Sequence, residues 1–234
     1  MYVKELWRYP VKSLRGERLT SVELTEDGVT ADRQIHVQGV HGPLTARTRH
    51  ALLGLSATTD PDGQVLIDGV PWQDPKAAAA VREVAGPDAR LVRYAGPERF
   101  DVLNLLVATD GAIAELGHDG RRLRPNILLG DVPGLAEREW PGRALRIGDT
   151  VVGMLKLRAR CIVTTIDPDT GGQNLDVLRD IHRRYDGRFA LDSWVAQPGT
   201  IRVGDRVEVV DLDLERPAPA AGSSARPTWC PDHP

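Results

Sequence analysis

No stretch of this 234-residue chain approaches the roughly 20 consecutive apolar residues that cross a bilayer. The first residues, MYVKELWRYP, carry charge at Lys4, Glu5 and Arg8 where a secretory leader is apolar, so the expected compartment is the cytoplasm, with no membrane partner. Cysteine is scarce: Cys161 and Cys230 are the only two, too few for a disulfide framework. No CxxC pair and no Cys/His cluster exists, which argues against zinc held by thiolates. No haem, flavin or iron–sulfur ligand pattern is visible either. The motifs GxGxxG, GxxxxGK[ST], HExxH and GxSxG are all missing, which disfavours the common nucleotide folds, zincin chemistry and nucleophile-elbow hydrolases.

Strong charge of either sign is lacking too. Lys and Arg number 30 against 33 Asp and Glu, a net charge of −3, and no basic block stands clear of neighbouring acids. Nucleic acid is therefore not an expected partner. The nearest exception is the short run Arg121, Arg122, Arg124. The six histidines are scattered, and His36, His41 and His50 lack the i, i+4 spacing of a helical metal face.

What is present is mainly β. The segments YVKELWRY, RLTSVELT, RQIHVQGV, QVLIDGV, LNLLVAT, NILL, ALRIGDTVV, CIVTTI and TIRVGDRVEVV alternate or carry β-branched runs between Gly, Pro and Asp turns. Many short strands with regular turns suggest barrels in preference to a βαβ sheet. Helical candidates are few and short. DPKAAAAVREVAG has Asp74 as cap, Pro75 in the first turn and Gly86 as stop; TDGAIAELGHDG starts at Thr109 or Asp110. NLDVLRDIHRRYDG places Leu175, Leu178 and Ile181 at helical spacing, with Gly187 after the end. Residues 94–102 read as a linker between two halves, and the Pro-, Ala- and Ser-rich end from about Leu212 reads as disordered.

Four stretches set polar or charged side chains beside turns. In YPVKSLRG, Lys12 supplies a point charge and Ser13 a hydroxyl, suited to an oxyanion. In TADRQIHV, Asp32 and Arg33 enter a strand. In RRLRPNILLG, Pro125 fixes the backbone while Arg124 and Asn126 flank it, an arrangement suited to bidentate contact with a phosphate or heterocycle. In RCIVTTIDPDTGG a strand runs into a turn whose Asp167 and Asp169 accept backbone amides. On residue chemistry alone, each also has an ordinary structural reading: a solvated lysine, a surface ion pair, a turn-making carboxylate, a buried Cys161.

In chain order, LWRYPVKSLRG, ADRQIHV, LTARTRHALL, RLRPNILL, RCIVTTIDPDTG and PGTIRVGDRVEVV resemble the MOSC-domain proteins with an N-terminal MOSC β-barrel, the group that includes amidoxime-reducing components. The resemblance implies a mainly β protein with a few short helices: an N-terminal β-barrel subdomain over 1–93, a MOSC β-barrel-like subdomain over 94–212, and a tail over 213–234. It implies a molybdenum cofactor, the molybdopterin, held between the subdomains by Lys12, Ser13, Arg33, Thr109, Asp110, Arg124, Asn126 and Thr165. It further implies reduction of a small N-hydroxylated substrate with electrons from an external donor protein.

One departure is large. The family's molybdenum-ligating cysteine aligns at or beside Arg184, and no cysteine lies between Cys161 and Cys230. Arginine stays protonated and offers no lone pair to a metal. Three alternatives follow: ligation by water, Asp186 or Cys161; another anionic ligand, with Arg184, Lys12 and Asp167 as the residues to test for metal-free lyase, transferase or condensation chemistry and Asp169 a further catalytic candidate; or an inactive protein, a non-catalytic carrier or sulfur-handling accessory.

Overall fold

A computed structural model describes residues 1–94, 96 and 99–211. The expected tail and Cys230 lie outside the described residues, as does part of the expected linker.

The architecture rests on one eight-stranded sheet. In spatial order its strands are Val207–Asp211, Arg143–Ile147, Thr150–Ala159, Arg188–Gln197, Leu105–Thr109, Ile127–Gly130, Tyr2–Arg8 and Glu17–Leu19. The sheet curls back on itself, because Tyr2 bridges Arg206 and Val207 N–H donates to the Met1 carbonyl. The interior of this barrel-like loop is filled by Val3, Leu6, Leu105, Val107, Ile127, Leu129, Leu145, Met154 and Leu191. Neighbours in the same strands, Leu106, Ala108, Leu128 and Phe189, point the other way. They meet two helices, α2 (Asp110–Leu116) and α3 (Leu175–Tyr185), which follow α1 (Pro75–Ala85) in the chain. Both faces of the central strands are thus covered, which is why they are near-continuous apolar runs.

A second core gathers Val11, Leu14, Ile35, Val37, Leu52, Ile67 and the Ala77, Val81, Ala85 face of α1. Two small three-stranded sheets surround it, the one holding Ile35–Gly39 and the one holding Val65–Ile67, while a third, holding Ser21–Thr25, packs against the barrel core. Helix α1 starts where Asp74 accepts Lys76 N–H and ends at Gly86, whose φ of 112° favours glycine. The segment after Tyr2–Arg8 ties the two cores together: Lys12 N–H donates to the Ile35 carbonyl at 2.7 Å, and Arg15 bridges Ser56.

Three local expectations need correction. CIVTT is no strand: the chain leaves the sheet after Ala159 and winds Ile162–Thr165 into a 3-10 turn. The cause is the hydroxyls, since Thr164 Oγ1 donates to the Cys161 carbonyl at 2.9 Å and Thr165 Oγ1 to that of Ile162 at 2.6 Å. Helix α3 buries Val177, Ile181 and Tyr185, leaving Leu175 exposed and Leu178 at the surface. Finally, Leu105–Thr109 and Ile127–Gly130 pair in parallel with α2 in the connection, a single βαβ unit inside a barrel-like sheet where none was expected.

Candidate functional site

The site forms where the chain crosses from the barrel to the second core. Asp32 is buried there and accepts Tyr9 N–H at 2.7 Å and Asn126 Nδ2 at 3.3 Å, while pairing with Arg33. Asn126 also donates to the Trp7 carbonyl at 3.3 Å and accepts Leu106 N–H at 3.2 Å. Its amide therefore stitches three segments together. The Tyr9 hydroxyl donates to the Pro125 carbonyl at 3.1 Å, and burial pushes that phenol up to about 12. Arg124 lies over the Tyr9 ring, 4.2 Å from its centroid, and donates to the Leu14 carbonyl at 2.7 Å. Burial pushes the Arg124 guanidinium down to about 10, so it still carries its charge at neutral pH.

Ser13, Arg33 and Arg124 all have positive φ, at 73°, 52° and 57°. Such backbone costs on the order of 1–2 kcal/mol per non-glycine residue, and it persists only where surrounding contacts enforce it. Gly16 follows the same logic of close approach: a Cβ there would stand 2.3 Å from the Arg8 carbonyl and 2.5 Å from the Tyr9 ring.

A cleft of about 310 Å³ opens beside this network. Trp7, Tyr9, Gly16, Leu53, Val163 and Ile166 give it apolar and aromatic walls, and Arg15, Arg18, Arg121, Arg122 and Arg124 line it with cations. Asp169 is the one carboxylate in that lining. A larger, open depression of about 590 Å³ over Glu23, Glu26 and Asp27 has no cation in its lining and is unsuited to an anion.

The residues nominated from sequence divide into groups. Arg124 and Asp169 line the cleft. Asp169 is forked by Arg121 at 2.6 and 2.9 Å. Asp167 accepts Arg122 at 2.7 Å, Asp169 N–H at 3.1 Å and Thr170 N–H at 2.9 Å, and these bonds hold its carboxyl below the usual range. Both carboxylates thus anchor the turn to the arginines. Thr165 is buried and receives Gln173 Nε2 at 3.2 Å. Lys12 pairs with Asp101 at 2.9 Å, and Arg47 joins the same carboxylate at 2.8 Å. Desolvation would raise Asp101, but Lys12 and Arg47 outweigh it and hold that carboxyl well below its ordinary value. Ser13 Oγ accepts Ala46 N–H at 3.0 Å.

Thr109 and Asp110 do not join the cleft. They sit at the other end of the parallel strands, where Thr109 Oγ1 caps α2 through Ala112 N–H at 3.2 Å and donates to Glu137 at 2.8 Å. Asp110 accepts Asp131 and Val132 N–H and pairs with Lys4 at 3.3 Å. Arg184 is exposed and is also outside the cleft lining. It donates to the Glu115 carbonyl at 2.7 Å, near the C-terminal end of α2, where a cation complements the helix dipole. Asp186 terminates α3 in a left-handed conformation, and Cys161, partly buried, begins the 3-10 turn beside Arg160. Among the described residues no group of three metal-ligating side chains comes together.

Sequence reasoning missed Arg15 and underrated Arg121 and Arg122, although their short basic run was its one charge anomaly. The strand Arg188–Gln197 also went unread, because Asp192 and Ser193 interrupt its apolar pattern.

Comparison with known proteins agrees with this architecture. The MOSC N-terminal beta barrel domain matches residues 1–111 and the MOSC domain matches residues 102–208. Mitochondrial amidoxime-reducing component 1 of Homo sapiens is 27% identical over 277 aligned positions, covering 88% of this chain and 82% of that protein. The Mus musculus protein of the same name is 26% identical, covering 88% and 81%. Mitochondrial amidoxime reducing component 2 of Homo sapiens is 30% identical over a shorter stretch, 46% of this chain and 37% of that protein. The two domain matches together run from residue 1 to residue 208, and the chain belongs to the MOSC family, in the branch that carries the MOSC N-terminal beta barrel domain.

Proposed function

We propose that the arginine-lined cleft binds a pterin-type molybdenum cofactor or an organic anion of similar shape, and that the protein reduces small N-hydroxylated molecules with electrons from a separate donor protein. The observation that carries the reading is Arg124: a half-buried guanidinium stacked on Tyr9, in a lining of five arginines and one carboxylate. Such a site favours a flat, anionic ligand, with the ring of Tyr9 and the indole of Trp7 as apolar surfaces and the guanidiniums as charge-assisted donors. The name of the relatives, amidoxime-reducing component, supports the substrate class.

The donor set fits the anionic organic part of the cofactor and not its usual thiolate anchor. Position 184 holds an arginine turned to the end of α2, and Cys161 is the one thiol among the described residues. This mismatch favours a second reading, in which the same cleft performs metal-free chemistry on a phosphate- or carboxylate-bearing metabolite.

The test is expression in a host that makes the cofactor, followed by metal analysis and identification of organic anions released on denaturation. The expected result is a bound organic anion in wild type that is lost in a folded Arg124→Ala variant. Retention of the anion by that variant overturns the cleft as its site. A bound anion without molybdenum selects the second reading.

A further inference from the structure

The cleft lining holds one carboxylate among five arginines, and that carboxylate draws on cations from two separate segments. Asp169 accepts Arg121 Nη1 at 2.9 Å and Nη2 at 2.6 Å. That fork, with help from the Arg15 charge, holds the Asp169 carboxyl below its ordinary value. Arg121 comes from the 3-10 turn Gly120–Leu123 and Arg15 from the segment after Tyr2–Arg8, so the tip of the Asp167–Gly172 turn serves both.

The two aspartates of this turn are held differently. Asp167 accepts Arg122 at 2.7 Å, the N–H groups of Asp169 and Thr170 at 3.1 and 2.9 Å, and the Thr170 hydroxyl at 3.0 Å. The Asp169 side chain is 64% exposed, and an ion pair so exposed is weak and exchanges readily. Asp167 can therefore keep the turn attached while Asp169 lets go of Arg121. The cations differ in parallel. Arg124 spends a donor on the Leu14 carbonyl at 2.7 Å and keeps its charge for a ligand, whereas Arg121 is shared between Asp119 and Asp169.

We propose that Asp169 is a specificity-determining residue of the cleft, a tethered carboxylate that holds the place of a second anionic group. The proposal rests on the reading that the cleft binds anions at Arg124. A compact anion seated at Arg124 leaves the Asp169–Arg121 pair intact. An extended polyanion that reaches Arg121 either meets the Asp169 charge or displaces it, and both cost affinity. The cleft thus favours ligands with one anionic group at the Arg124 end and disfavours those that bring a second to the Arg121 end.

Calorimetric titration of the full chain with inorganic phosphate, a compact probe, and tripolyphosphate, an extended one, at matched ionic strength and neutral pH, tests this. Asp169→Asn is expected to tighten tripolyphosphate binding about three- to fivefold, the upper part of the range an exposed ion pair spans, and to leave phosphate within about twofold of wild type. Asp176→Asn makes the same charge change on α3, at a comparably exposed carboxylate outside the cleft lining, and is expected to leave both affinities within about twofold. An equal gain for both anions in Asp169→Asn, no gain for tripolyphosphate, or the same gain in Asp176→Asn overturns the proposal. Binding of both anions that is unchanged in Arg124→Ala overturns the cleft reading itself, whereas binding that needs Arg124 and ignores Asp169→Asn overturns only the role of Asp169. Arg124→Gln, closer in size, takes the place of Arg124→Ala where the latter folds poorly. Absence of detectable binding in wild type and in Asp169→Asn alike overturns both.

Discussion

At the Tyr2 end of the strand Tyr2–Arg8, carboxylates gather and each is met: Asp110 by two backbone N–H groups and Lys4, Glu137 by the Thr109 hydroxyl. At the Arg8 end the strand runs into five arginines, of which Arg18, Arg121 and Arg122 meet Glu5, Asp119 with Asp169, and Asp167, while Arg15 and Arg124 meet backbone carbonyls and keep their charge for the cleft. The family resemblance nominated both ends for an anionic cofactor, one through Thr109 and Asp110 and the other through Lys12, Arg33 and Arg124. A cap that already serves its own helix has nothing left to offer a ligand, whereas surplus positive charge does.

The comparison can be broken most forcefully at Asp32. Asp32→Ala strips partners from Tyr9 N–H, Asn126 and Arg33 together, and is expected to cost about 3–5 kcal/mol in chemical denaturation. A loss below about 1 kcal/mol would mean that this network does not hold the cationic end together. At the other end, Thr109→Val removes the α2 cap and the partner of Glu137, with an expected loss of about 1–2 kcal/mol in stability and none in anion binding. An anion affinity that falls with Thr109→Val would erase the distinction between the ends. Tyr9→Phe separates ring from hydroxyl: it loses the bond to the Pro125 carbonyl, about 1 kcal/mol in the unfolding midpoint, and keeps the face under Arg124 and the ligand affinity.

The smallest effect is a pH slope. Burial raises the Glu137 carboxyl above its ordinary value, although the Thr109 hydrogen bond opposes this. The folded protein then holds that proton more tightly than the unfolded chain does. Stability from this group is present below the unfolded carboxylate range and declines as pH rises through the raised folded value. Glu137→Gln is expected to flatten this decline in melting-temperature measurements across mildly acidic pH, and an unchanged slope would assign the effect elsewhere.

Local signals were read well where the physics was local. Asp74, Pro75 and Gly86 bounded α1 because a cap, a preset φ and a positive φ act within a few residues. The start of α2 was placed at Thr109 or Asp110 for the same reason, and Thr109 is the cap. CIVTT was misread because β-branched composition says nothing about threonine hydroxyls bonding back to carbonyls three residues earlier. On α3 the spacing was helical but the buried face was not Leu175 and Leu178: packing against the sheet chose Val177, Ile181 and Tyr185.

By itself the sequence determined that the chain is β-rich, that its capped helices start and stop where they do, and that its motifs carry a MOSC resemblance, because these depend on neighbours along the chain. Only the tertiary structure decided which charges are spent and which are kept for the cleft. Arg122 meets Asp167 and Arg121 meets Asp169 across the fold, whereas Arg124 meets the Leu14 carbonyl and keeps its charge. A charge acquires its role from the partners brought to it by distant segments, and residue type alone does not carry that information.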